Sequence, residues 1–481
     1  MPAALSHFGI VLGVILILWC GLTSAFGLYL QSRCARYLDR GSSSFFALSQ
    51  ITYPNAAVIF DAAIAIKCFG VGVSYLIIIG DLMPGVVRGF DSGADDVPFL
   101  VDRNFWITAF MLLIIPLSFL RRLDSLKYTS IVALVSIGYL IILVVYHFAA
   151  SSHPDRGDIR VITWEGPIAA LGNLSVIIFA YTCHQNMFSI LNEIKDYSPA
   201  SIVGVISASI GSAASIYILV AITGYLTFGN SVVGNIVSMY APSVASTIAK
   251  AAIVVLVTFS IPLQVHPCRA SLDAVLSWRP NGNSRTQTGS PGRPSSSASQ
   301  SLLPTPNAPG GHDHGPTTAP MSDLRFAVIT TVILVLSYVT ALTVSSLDRV
   351  LAYVGSTGST AISFILPGLF YYKISDPDSP HHQRLSKEDD DADFETSSDP
   401  GLEDGPEAGG SRMLDSTASL ASNISATGSR LFSRWRRKWR WDLEHIETFL
   451  LRKLALSLAI YGVCIMVVCL SMNAFVSVSS H

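Results

Sequence analysis

Charge is what this sequence has least of. Only 13% of its 481 residues are Asp, Glu, Lys or Arg, about half the share of an ordinary soluble domain. Half of the residues are hydrophobic and the mean hydropathy is +0.49, a balance that excludes a soluble globular chain. Metal-ligand spacings are lacking as well. The seven cysteines form no C-x-x-C pair and no Cys/His cluster, so neither a zinc site nor a redox dithiol is expected. His312-Asp313-His314 lies in a Pro/Gly tract and reads as a pair of solvated imidazoles. No phosphate-binding loop, metalloprotease signature or nucleophile elbow is present, so neither an enzymatic activity nor a cofactor is predicted. The opening residues lack a basic region and a small-residue cleavage pattern, so they are not expected to be a secretory signal.

Long apolar runs are what the chain has instead. Ten of them cover 10–30, 56–79, 105–120, 131–148, 168–191, 202–228, 244–265, 326–344, 350–372 and 454–475. A helix needs about 20 such residues to cross a hydrocarbon core, whereas barrel strands would be about ten residues long and would alternate. The expected fold class is an all-α polytopic membrane protein. The short apolar stretch 1–8, directly before a full span, predicts a further half-helix upstream of Met1 that would make eleven spans.

The basic residues set the orientation. If the loop holding Arg33, Arg36 and Arg40 is cytosolic, 24 Lys and Arg fall on that side, five on the other, and Lys67 and Lys250 inside spans. That asymmetry follows the positive-inside rule. No cysteine falls in a lumenal loop, so no disulfide framework is expected. The chain then divides into transmembrane helices over 1–280, a disordered loop at 281–321, two more spans within 322–374, an acidic disordered loop at 375–430, a basic Trp-rich stretch at 431–453 and a last span at 454–476. Within the basic stretch, Arg434, Arg436, Arg437, Lys438 and Arg440 interleave with Trp435, Trp439 and Trp441. Tryptophan and basic residues beside a span suit an anionic lipid leaflet; a nucleic-acid partner is excluded by that same context.

Inside the spans, polar residues mark the candidate sites. Tyr181-Thr182-Cys183-His184-Gln185-Asn186 crowds six polar or semi-polar residues into one span. They cannot share one helix face, so the helix is expected to open or to set some of them against lipid. Irregular backbone at membrane depth is tolerated where it is buried in protein or lines a cavity. Broken helices of this kind form the substrate sites of secondary transporters, while the alternative is hydrogen-bonding glue between helices. A second candidate is Thr258-Phe259-Ser260-Ile261-Pro262, where Pro262 frees the carbonyl of Thr258. Thr258 and Ser260 could supply oxygens to a hard cation or simply patch a kink. The run Gly355-Ser356-Thr357-Gly358-Ser359-Thr360 would permit close helix approach or local bending. Lys67 is a functional candidate because an intramembrane ammonium is expensive, with a structural tie to another helix as the alternative. Asp61 reads as solvated near the cytosolic mouth.

Several segments in matching order carry a resemblance. Val73-Ser74-Tyr75-Leu76-Ile77-Ile78-Ile79-Gly80-Asp81-Leu82-Met83-Pro84, the Gly355 to Thr360 run, and Ile362-Ser363-Phe364-Ile365-Leu366-Pro367-Gly368-Leu369-Phe370-Tyr371-Tyr372 resemble the amino acid/auxin permease family. The similarity is to its sodium-coupled neutral amino acid transporters and its vacuolar amino acid transporters, and Phe179 to Phe188 resembles the fungal vacuolar members. The resemblance implies a LeuT-type fold of two inverted five-helix repeats plus an eleventh helix, with the first helix truncated here. It makes 168–191 the sixth helix, 244–265 the eighth, and Met1 to Phe8 the outer half of the first. The family's Gly-rich break in helix one, with the inner half-helix before it, has no counterpart in this chain. The implied function is secondary-active transport of neutral or polar amino acids across an endomembrane, the vacuole above all, by a monomer coupled to H⁺ or Na⁺. Substrate contacts are expected from Tyr181, Thr182, Cys183, His184 and Asn186, and cation coupling from Thr258 and Ser260. A receptor that binds an amino acid in the same pocket, or an inactive truncated product, are the alternatives.

Overall fold

A backbone surrounded by lipid must satisfy its N–H and C=O groups internally, and helices are how an open chain does so. In the computed structural model, which describes residues 1–38, 41, 43–91, 93–120, 127–150, 157–195, 197–277, 322–344, 346–384 and 449–476, every regular element is a helix. The α-helices are α1 (Pro2–Phe8), α2 (Ile10–Ala35), α3 (Phe45–Thr52), α4 (Ala57–Phe90), α5 (Pro98–Val101), α6 (Arg103–Ser118), α7 (Lys127–Ala150), α8 (Pro167–Ala180), α9 (Met187–Glu193), α10 (Pro199–Phe228), α11 (Ile236–Met239), α12 (Val244–Ser277), α13 (Asp323–Thr343), α14 (Leu347–Val354), α15 (Leu366–Ile374) and α16 (Phe449–Val476). Among the described residues nine helical stretches are long and apolar enough to cross a membrane, and α6 is a shorter apolar helix. Each of the ten runs expected from the sequence coincides with a helical stretch, that over 168–191 being interrupted at its polar residues. The chain is an all-α polytopic membrane protein.

Local chemistry sets the helix boundaries. The Asp102 carboxylate caps α6 by accepting from the Asn104 and Phe105 N–H groups, satisfying donors that have no intrahelical partner. Ser198 and Ser322 do the same for α10 and α13. Between α1 and α2 the chain reverses at Gly9, whose φ is 75°; a Cβ there would also lie 2.6 Å from the Thr163 carbonyl oxygen. That closeness reflects a strap over the junction. Ile10 and Val11 donate their N–H groups to the carbonyls of Arg160 and Val161, at 3.1 and 3.0 Å. Arg160 Nη1 donates to the Ser6 carbonyl, and the His7 ring meets the Glu165 carboxylate.

The broadest helix–helix interface is α12 on α4, and α2 packs against α10 and α15. Close approach comes from small residues. A Cβ on Gly70 would meet Val354, one on Gly355 would lie 2.1 Å from the Ser175 carbonyl oxygen, and one on Gly358 2.7 Å from Lys67 Cβ. The ninth apolar run, 350–372, is helical throughout but loosened: Gly355–Ser359 and Ala361–Ile365 are wound as π-helix between α14 and α15. The Gly-Ser-Thr run thus both lets α4 and α8 approach and bends its own helix.

The expected disordered loop at 281–321, His312 to His314, most of the acidic loop at 375–430 and the basic cluster from Arg434 to Arg440 lie outside the described residues. The structure differs from expectation at Asp61, which is 8% exposed rather than solvated, because α4 begins at Ala57 and carries it into the bundle.

Candidate functional site

The run 168–191 is interrupted where its polar residues fall. Helix α8 ends at Ala180; Tyr181 and Thr182 turn back to the carbonyls of Ile178 and Phe179; a 3₁₀ turn covers His184–Asn186; and α9 restarts at Met187. The six residues cannot share a face, so the helix opens rather than presenting them to lipid. The loose ends are partly tied. Tyr217 on α10 donates its hydroxyl to the Ala180 carbonyl at 2.7 Å, and its ring stands edge-on to Tyr181 with centroids 5.1 Å apart. Thr182 Oγ1 donates to the Ile178 carbonyl at 2.9 Å, and Ser363 of the π-wound segment donates to Thr182 Oγ1 at 3.3 Å.

His184 is the centre of this region and is fully buried. Its Nε2 lies 3.2 Å from the Ser24 carbonyl oxygen. A carbonyl can only accept, so Nε2 carries the hydrogen and Nδ1 is left with a lone pair. The His184 carbonyl accepts from Gln31 Nε2 at 2.9 Å. Both partners are on α2, which comes this close because residue 27 is glycine: a Cβ there would be 2.2 Å from the Ser363 carbonyl oxygen and 2.8 Å from His184 Nε2.

Several polar atoms here have no hydrogen-bond partner among the described residues although they are buried. They are Tyr181 Oη, His184 Nδ1, Gln185 Oε1, Ser24 Oγ, Gln31 Oε1 and Ser359 Oγ. Native interiors leave few such groups, because each forfeits its hydration. They fall on α2, on the break and on the π-wound run, segments that pack together.

The other expected residues are placed as follows. Tyr181 is buried, Thr182 and Cys183 are half-buried, and Asn186 at the end of the 3₁₀ turn is exposed. The break brings Tyr181, Thr182, Cys183 and His184 together with α2 and the π-wound helix. Thr258 and Ser260 are elsewhere, on α12, which runs unbroken through Pro262 and packs on α4, α7, α6 and α13. Their hydroxyls donate to carbonyls of their own helix, Val254 at 2.6 Å and Leu256 at 2.7 Å. The structure also adds residues that the sequence pattern did not single out: Ser24, Gly27, Gln31 and Tyr217. A glutamine directly after the first apolar run was a signal for one of them; the others depend on which helices meet.

Lys67 on α4 is 3% exposed. Its expected alternative, a tie to a neighbouring carbonyl or carboxylate, is not realised: among the described residues it has no hydrogen bond, ion pair or ring contact. A lysine at the centre of a bilayer costs roughly 2.5–3.5 kcal/mol.

These features define a class, the polytopic helical membrane proteins that open one helix around a cluster of unpartnered polar groups. Sequence comparison gives the family. Residues 1–389 match the family described as transmembrane amino acid transporter protein, and the chain belongs to it. It is 42% identical over 387 residues to vacuolar amino acid transporter 6 of Saccharomyces cerevisiae, covering 78% of this chain and 86% of that protein. Vacuolar amino acid transporter 5 of Schizosaccharomyces pombe is also 42% identical, over 80% of this chain and 84% of its own length. Sodium-coupled neutral amino acid transporter 7 of Mus musculus is 30% identical over 44% of this chain and 46% of its own.

Proposed function

We propose that this protein is a secondary-active transporter of neutral or polar amino acids in the vacuolar membrane, moving them toward the cytosol. The amino acid binds where the helix opens between Ala180 and Met187. The observation that carries this reading is the cluster of buried, unpartnered polar atoms around that break, on a chain whose relatives are named vacuolar amino acid transporters. Tyr181, Thr182, Cys183, His184 and Asn186 would contribute to the substrate contacts. The two inverted five-helix repeats that the resemblance implies would supply alternating access around this point.

For the coupling ion we favour protons. His184 Nδ1 has a free lone pair at the opened helix, and the relatives at 42% identity are named vacuolar transporters; the Thr258 and Ser260 hydroxyls donate to their own helix, which leaves their oxygen lone pairs open to a cation. An imidazole can take up a proton from an acidic compartment; the alternative is a His184 that stays neutral and hydrogen-bonding throughout the cycle. The test is accumulation of radiolabelled amino acids by sealed vesicles carrying the full-length protein. An imposed pH gradient in sodium-free buffer should drive uptake above that seen with a sodium gradient alone. Uptake that needs sodium, ignores the pH gradient and is abolished by Ser260→Ala would overturn the proton assignment. Binding without accumulation under either gradient would overturn transport itself.

A further inference from the structure

Hydroxyls in the described spans commonly turn back onto their own helix: Ser74 onto the Gly70 carbonyl, Thr258 onto Val254, Thr330 onto Phe326 and Thr360 onto Gly355. Ser363, in the π-wound segment, does not. Its Oγ lies 3.3 Å from Thr182 Oγ1 on the opened helix. The direction of that hydrogen bond is fixed. Thr182 Oγ1 gives its single hydrogen to the Ile178 carbonyl at 2.9 Å, and a carbonyl can only accept, so Ser363 must be the donor to Thr182. The relay runs from Ser363 through Thr182 to Ile178, and its open end is an acceptor. Ser363 is 0% exposed, and among the described residues nothing donates to its Oγ.

Ser359 adds a second such atom. It stands four residues before Ser363, a spacing that makes two side chains neighbours on a helix. It is 0% exposed, and its Oγ has no partner among the described residues. The segment that carries both serines packs against α8 and the 3₁₀ turn of the break. A buried acceptor left unfilled forfeits its hydration, and one held open by a fixed relay is suited to a donor that arrives with a ligand. An amino acid brings N–H donors on its ammonium, and some side chains carry an N–H or O–H as well. We propose that Ser363, with Ser359 beside it, is the face of the amino acid site on the π-wound helix and accepts a hydrogen bond from the bound amino acid, an assignment that rests on the transport reading above. Thr182 then holds the Ser363 hydroxyl in its accepting orientation.

The test uses vesicles carrying the full-length protein and those members of a radiolabelled amino acid panel that the wild type accumulates. Ser363→Ala should raise KM at least tenfold while kcat stays within threefold of wild type. Ser363→Cys keeps the size of the side chain but is a weak acceptor, and it should behave as Ser363→Ala does. Ser359→Ala removes a hydroxyl that has no partner in the empty protein, so the thermal midpoint in detergent should hold or rise while KM rises at least threefold. An equal rise for every amino acid assigns the donor to the α-ammonium; a rise confined to side chains with an N–H or O–H assigns it there. Added to Thr182→Val, Ser363→Ala should worsen uptake by less than threefold, because members of one relay are not independent. A wild-type KM in Ser363→Ala, at whatever midpoint, overturns the assignment and makes its bond to Thr182 a tie between helices. Losses that multiply in the double variant overturn it as well. Should Ser363→Ala fail to fold, Ser359→Ala decides alone: a raised KM at a held midpoint supports the assignment, and a wild-type KM overturns it. A wild type that accumulates no amino acid would defeat the transport reading, and this assignment with it.

Discussion

Residue 27 shows how one side chain's absence positions another's chemistry. With hydrogen in place of a Cβ, α2 can bring the Ser24 carbonyl and the Gln31 amide onto His184 from one side, while Ser363 closes in from the other. That arrangement fixes the ring with Nε2–H donating and Nδ1 free. A methyl group would overlap the Ser363 carbonyl at 2.2 Å, and overpacking of this kind costs about 1–3 kcal/mol. We expect Gly27→Ala to lower the thermal midpoint of the detergent-solubilised protein by several degrees and to impair uptake. Gly72→Ala is the matched control, since a Cβ there meets nothing within 4 Å, and its midpoint should not fall. Equal midpoints for the two variants would remove residue 27 from this role. The sequence made His184 legible as a polar residue out of place, but its tautomer was not, because the Ser24 carbonyl that sets it is 160 residues away.

At the scale of elements, two irregular helices meet: the opened α8–α9 and the π-wound run between α14 and α15. Irregular winding of this type recurs at functional sites. The first was legible because six polar residues cannot share a face. For the second the Gly-Ser-Thr run indicated small residues and bending, while the π-winding itself and the close approach of Gly355 to Ser175 and of Gly358 to Lys67 were not legible. These irregular helices are held by regular ones tied at their ends. Arg103, at the start of α6, donates through Nε to the Asp81 carboxylate at 3.0 Å and through Nη2 to the carbonyls of Ala341 and Val344 at 3.2 Å, joining α4, α6 and the end of α13. Hydrogen bonds to charged groups contribute about 1.5–3 kcal/mol. Because these contacts involve no residue of the break, Arg103→Met should lower the thermal midpoint and leave KM for the amino acid unchanged. A raised KM at an unchanged midpoint would place Arg103 in substrate handling instead.

Taken as a whole, the molecule is a regular helical bundle around one opened helix, and the two parts were not equally readable from the sequence. Apolar run lengths gave the spans because lipid leaves the backbone no alternative to a helix. The turn residues, the strap from Arg160 to Glu165 and the α2 face of the site arise from tertiary contacts between distant segments, which periodicity does not encode. The central claim is that the amino acid is bound at the opening between Ala180 and Met187. Its most direct test is initial uptake of radiolabelled amino acid by vesicles carrying full-length wild type, Thr182→Val or His184→Ala, normalised to folded protein in detergent. The account predicts that both variants fold and that each reduces uptake at least tenfold. Wild-type rates in both would contradict it and leave the polar run as hydrogen-bonding glue between helices.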